Sequence, residues 1–188
     1  MNELRAAPNQ LTLLRLCIVP FLVLAVLDGH FRTALALFIL AGISDGLDGL
    51  LARLLKQRTV LGQYLDPVAD KLLLSTLFLV LNHEGLISRR VTVLVFGRDL
   101  GILIVAAILY AGVGMRNFKP SIFGKANTLS QIIALLVVLL GMFYAPPFIR
   151  AIRHGAMVAT VTFTTISGFH YAWQVARRLS PPAADTTA

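Results

Sequence analysis

The chain has 188 residues, 57% of them hydrophobic, with a mean hydropathy of +0.78. A water-soluble domain of this length needs a far more polar composition, so the sequence indicates a single all-α domain embedded in a membrane. The formal net charge of +8 comes from basic residues lying between apolar runs, where they read as orientation signals and contacts to anionic headgroups, with no nucleic-acid partner.

Apolar runs of about 20 residues match the length a helix needs to cross a hydrocarbon core of roughly 30 Å. Six transmembrane helices are predicted, over about 11–27, 31–55, 67–81, 91–113, 124–144 and 151–178. The first holds the lone cysteine, Cys17, so no internal disulfide can form. Its length and the lack of a small-residue cleavage site mark it as an anchor, not a cleaved signal. The third looks short for a full crossing. The domain is predicted over 1–179, and the Pro- and Ala-rich stretch SPPAADTTA at 180–188 reads as a disordered tail.

Placing the N-terminus inside puts Arg5, Arg53, Lys56, Arg58, Arg116, Lys119, Lys125, Arg177 and Arg178 on the cytoplasmic side. Arg32, Arg89, Arg90, Arg150 and Arg153 fall on the other. That excess predicts both termini in the cytoplasm. The expected location is a bacterial inner membrane, with the polar site on its cytoplasmic side.

Acidic residues are scarce, yet Asp45, Asp48, Asp66 and Asp70 crowd the segment SDGLDGLLARLLKQRTVLGQYLDPVADK. Asp45 and Asp48 are three apart and share a helix face, which the small Gly49 and Ala52 extend. Arg53 follows as a donor suited to phosphate. Asp66 and Asp70 are four apart on the next helix, with Asp66-Pro67 read as its N-cap and first turn. A loop over 54–65, with Gly62 available for a tight turn, would bring the two faces together. Four carboxylates at a membrane edge need a cation to offset them. An all-oxygen set favours Mg²⁺ or Mn²⁺, and two such ions beside an arginine suit a diphosphate.

The pattern Asp45-x2-Asp48-Gly49-x2-Ala52-Arg53-x8-Gly62-x3-Asp66-x3-Asp70 resembles the signature of the CDP-alcohol phosphatidyltransferases, with every fixed position filled. The opening PNQLTLLRL is similar to that of glycerol-type members, and the six-span layout fits. The resemblance implies that Asp45, Asp48 and Asp66 bind metal, and that Asp70 binds metal and serves as general base on the acceptor hydroxyl. It implies that Gly49 and Ala52 line the cytidine pocket, Arg53 holds the diphosphate and Gly62 shapes the turn over the nucleotide. It also implies a homodimer. The donor would be CDP-diacylglycerol, with CMP released.

The resemblance implies a glycerol-type alcohol as the acceptor. Arg98-Asp99, FKPSIFGKANT and FTTISGFHYAW resemble cardiolipin synthases of this superfamily, which use phosphatidylglycerol. Phosphatidylglycerophosphate synthase, using glycerol 3-phosphate, is the nearly equal alternative. Arg98, Lys125 and Thr128 are the expected acceptor-binding residues, although Arg98-Asp99 could equally be an internal salt bridge. Asn9, Thr12 and Arg15 share a face that could reach the site, and Lys71 could pair with a carboxylate. His170 reads as a packed histidine, and the threonines of the sixth span as local hydrogen-bonders. An ion-coupled transporter would not need the Gly-Ala-Arg positions. A prenyltransferase would carry widely separated Asp motifs and more spans.

Overall fold

A computed structural model of the protein describes the backbone of residues 7–54, 60–113 and 122–179, and the side chains of 10, 12–47, 68–105 and 122–177. Among these residues the fold is six helices and no strand: α1 Ala7–Leu27, α2 Phe31–Leu54, α3 Val60–His83, α4 Arg89–Val113, α5 Ile122–Gly141 and α6 Pro147–Leu179. The tail 180–188 lies outside the described residues, as do 55–59 and 114–121, which hold Lys56, Arg58, Arg116 and Lys119.

Among the described residues α1 packs on α2, α3 on α4 and α5 on α6, each pair joined by a short turn. The α1–α2 and α3–α4 turns close in the same way. Gly29 (φ 72°) and Gly85 (φ 70°) take the left-handed conformation that glycine adopts most cheaply. Behind Gly29, the amides of Gly29 and His30 donate to the carbonyls of Val26 and Ala25. Behind Gly85, those of Gly85 and Leu86 donate to Asn82 and Leu81. These paired bonds satisfy helix-terminal carbonyls that a membrane would leave without partners.

The third helix departs from the expectation. It is already helical at Val60 and runs 24 residues, long enough for a full crossing. Asp66-Pro67 therefore lies inside α3 and is not its N-terminal cap, and Gly62 stands in helix and not in a turn. Glycine and proline break helices when the freed backbone groups can turn to water. Where that alternative is missing, helices run through them.

Helix α1 packs on α2 and α3, α5 pairs with α6, α2 and α3 both reach α5, and α4 bridges α3 and α6. The core is a cluster of buried apolar side chains, including Leu22 and Val26 of α1, Phe38 of α2, Leu77 and Phe78 of α3 and Leu135 of α5. Between α5 and α6 the ties are polar. Thr164 Oγ1 donates to Asn127 Oδ1 at 2.7 Å, and Thr160 Oγ1 donates to the Ser130 carbonyl at 3.1 Å. Thr162 and Thr165 bond back to the carbonyls of Val158 and Val161, each one turn earlier. Small polar residues at helix seams are how bundles hold together when lipid supplies no hydrophobic drive.

The outer surface is apolar: Phe21, Ile43, Val93, Leu129, Phe169 and Trp173 are all well exposed. Among the described residues one helix, Ile122–Gly141, is both long and apolar enough to cross a membrane by composition alone. Leu77 is fully buried at the centre of the core. Leu77→Ala should cost about 2–5 kcal/mol, read as a lowered denaturation midpoint of the protein in mixed micelles.

Candidate active site

The described site is a cavity of about 330 Å³ bounded by α1, α2, α3 and α5. Its polar end carries Arg15, Asp45 and Asp70. The remaining wall is apolar, formed by Phe38, Ala41 and Ile43 of α2, Leu73 and Leu74 of α3, and Ile132 and Leu136 of α5. Helical spacing explains the arrangement. Asp70, Leu73 and Leu74 are three and four residues apart and so project from one face of α3. Two of the four aspartates read from the sequence thus meet in one cavity from different helices. Asp48, Gly49, Ala52, Arg53, Gly62 and Asp66 belong to α2 and α3, but their side chains lie outside the described residues.

Arg15 is the main addition to the site. It is fully buried on α1, and its Nη2 stands 2.7 Å from Oδ1 of Asp45, whose side chain is 52% exposed. Buried Thr12, one turn earlier, lies on the same stripe. The spacing of Thr12 and Arg15 had suggested that this face reaches the site, and Arg15 does. The side chain of Asn9 is outside the described residues.

Of the three expected acceptor residues, two lie near this cavity. Lys125 and Thr128 line a shallow depression of about 360 Å³ with Gly124, Leu129 and Ile132, and Ile132 also borders the Asp45–Asp70 cavity. Lys125 is exposed, and Thr128 Oγ1 donates to the Gly124 carbonyl at 3.3 Å. Arg98 lines neither cavity. Its Nη1 stands 2.6 Å from Asp99 Oδ1, and Nη2 donates to Ser167 Oγ of α6. Lys71, one position after Asp70, stands 3.2 Å from the same Asp99 oxygen. His170 packs its ring against Phe123, 5.0 Å between centroids.

Carboxylates are the only candidate metal ligands in the described part of the cavity. Such oxygen donors suit Mg²⁺ or Mn²⁺ better than zinc. Among the described residues no three acidic, histidine or cysteine side chains stand together; Asp48 and Asp66 are outside that set. The apolar wall gave no sequence signal. In a chain this hydrophobic, Phe38, Ile132 and Leu136 look like any other core or lipid-facing residue.

Comparison with known proteins agrees with the residues. The chain is 30% identical to the human cardiolipin synthase (CMP-forming), over 87% of its own length and 60% of the human protein. It is 32% identical to the CDP-diacylglycerol–glycerol-3-phosphate 3-phosphatidyltransferase of Aquifex aeolicus, covering 87% of this chain and 92% of that one. A probable phosphatidylglycerophosphate synthase of Mycobacterium tuberculosis is 36% identical, with 91% and 80% covered. The family model described as CDP-alcohol phosphatidyltransferase matches residues 5–166. With the Asp motif placed on α2 and α3 and its first and last carboxylates facing one cavity, the chain belongs to the CDP-alcohol phosphatidyltransferase family.

Proposed function

We propose that the protein moves the phosphatidyl group of CDP-diacylglycerol to the hydroxyl of a glycerol-type alcohol and releases CMP. The observation that carries this is the meeting of Asp45 and Asp70 at the polar end of an otherwise apolar cavity. Such a cavity suits a substrate with a charged diphosphate joined to acyl chains. In the reaction the acceptor oxygen forms a bond to the phosphorus bearing diacylglycerol. The anhydride bond to the CMP phosphate breaks, and CMP leaves with the electron pair. Asp70, at the polar end of the cavity, takes the acceptor proton in this reading. Asp45, Asp48, Asp66 and Asp70 would hold two Mg²⁺ or Mn²⁺ ions, whose charge would neutralise the diphosphate. Gly49 and Ala52 would leave room for the cytidine, Arg53 would hold the diphosphate, and Gly62 would lie by the nucleotide. Buried Arg15 pairs with Asp45 and lowers the net negative charge of the acidic cluster.

The acceptor in this reading is phosphatidylglycerol, giving cardiolipin, as supported by FKPSIFGKANT and the Arg98-Asp99 pair and by the name of the human relative. Glycerol 3-phosphate is the second reading, favoured by the names of the relatives from Aquifex and Mycobacterium. Lys125 and Thr128, which line the neighbouring depression, would contact an acceptor phosphate in either case. All six helices span a bacterial inner membrane in this reading, with both termini and the site at its cytoplasmic face, and the protein is a homodimer. The apolar outer surface supports the embedding.

Purified protein in mixed micelles, given CDP-diacylglycerol, Mn²⁺ and each acceptor in turn, should release CMP. Lipid mass spectrometry of the product identifies the acceptor, and no CMP with either alcohol would sink the reading. Asp70→Asn should lower turnover by at least about a hundredfold with an unchanged melting midpoint; near-normal turnover would remove Asp70 as the base. Asp45→Asn should weaken Mn²⁺ binding, followed by the free-ion signal in electron paramagnetic resonance, by roughly tenfold or more.

A further inference from the structure

The α3–α4 hairpin is pinned at three levels. At the turn, Asn82 Nδ2 donates to the Ile87 carbonyl at 2.8 Å. One level in, Thr92 Oγ1 of α4 donates to the Phe78 carbonyl of α3 at 3.4 Å. Two helical turns further along both helices, the Lys71 ammonium stands 3.2 Å from Asp99 Oδ1, an ion pair without hydrogen-bond geometry. Thr92, Val95 and Asp99 form one buried stripe on α4, and Lys71 and Phe78 project from the matching face of α3. The pin farthest from the turn is the only charged one of the three, and it sits on the stretch of α3 that carries Asp70.

Asp99 is 2% exposed, and its Oδ2 is buried without a partner among the described residues. Its other oxygen takes both Lys71 and Arg98, and Arg98 is held in turn by Ser167 of α6. A buried carboxylate with two cations is a strong anchor, because leaving either charge unpaired in an apolar interior is costly. Lys71 and Asp70 are successive residues, about 100° apart around the helix. A side chain of residue 71 held towards α4 therefore accompanies a side chain of residue 70 turned about 100° away, where Asp70 borders the cavity.

We propose that Asp99 is a positioning residue for this site: through Lys71 it sets the rotation of α3 that aims Asp70 at Asp45 across the cavity. The proposal rests on the phosphatidyltransferase reading for its turnover readout alone. Asp99 lines neither depression and meets Lys71 directly. Arg98 completes the anchor by tying α4 to α6.

The test uses the full-length protein in mixed micelles with Lys71→Met, Lys71→Arg, Asp99→Asn and the Lys71→Met/Asp99→Asn double variant. Lys71→Met is the least disruptive, because Asp99 keeps Arg98 and the apolar stem of residue 71 is retained. Lys71→Met and Asp99→Asn should each weaken Mn²⁺ binding by about ten- to a hundredfold. Each should lower kcat for CMP release by a similar factor, with KM for CDP-diacylglycerol within about twofold of wild type. Lys71→Arg should restore both properties, and the double variant should lose no more than either single one. A role in stability alone would lower the melting midpoint and leave Mn²⁺ affinity and kcat of the folded protein unchanged; that result overturns the proposal. So do losses that multiply in the double variant, or a Lys71→Arg as impaired as Lys71→Met. Wild-type protein that binds Mn²⁺ but releases no CMP removes the reaction assigned to the site, while the Mn²⁺ series still decides the role of Asp99.

Discussion

An ionised group inside an apolar bundle has no water to fall back on, and the placement of the site follows from that constraint. Arg15 is buried against Asp45, and Asp99 is buried against Lys71 and Arg98. Each pairing joins different helices: α1 to α2, α3 to α4, and through Ser167 α4 to α6. Stripping the hydration from such charges costs several kcal/mol per ion, which only a well-placed partner offsets. The helices cannot slide or rotate freely without breaking these pairs. Apolar packing alone is weakly directional, and lipid competes for it on equal terms.

The same charges are spent in two ways. Arg98 and Asp99 are nearly enclosed and serve the frame. Asp45 is paired with Arg15, yet half exposed and bordering the cavity. The contrast separates two arginines that look alike in sequence. Arg15 borders the cavity, whereas Arg98 is turned between α4 and α6 and lines neither depression. The cationic chemistry facing the second depression therefore comes from Lys125 at the start of α5.

The helices and the family that the Asp motif carries were legible in the sequence because both rest on short-range spacing. Apolar runs gave six helices, and intervals of three and four residues placed the acids on shared faces. What misled was punctuation. Asp66-Pro67 and Gly62 are stop and turn signals in water, but α3 runs through both. Tertiary pairing was less accessible. Lys71 was open to any carboxylate, and the choice of Asp99 depends on the register of α3 against α4. That register is fixed by the Gly85 turn and by Thr92 on Phe78, which no local rule connects to Lys71. Nor could the apolar wall of the cavity be told from lipid-facing surface, since both use the same residues.

That wall has a kinetic meaning. Ile39 and Ile43, on its α2 side, are exposed on the apolar outside of the bundle. A molecule with acyl chains can therefore approach in the plane of the bilayer, without its tails crossing water. For such a ligand, occupancy follows its mole fraction among the surrounding lipids and is insensitive to the total volume of the suspension. Adding inert lipid or detergent would compete by surface dilution, although it binds nothing in the cavity.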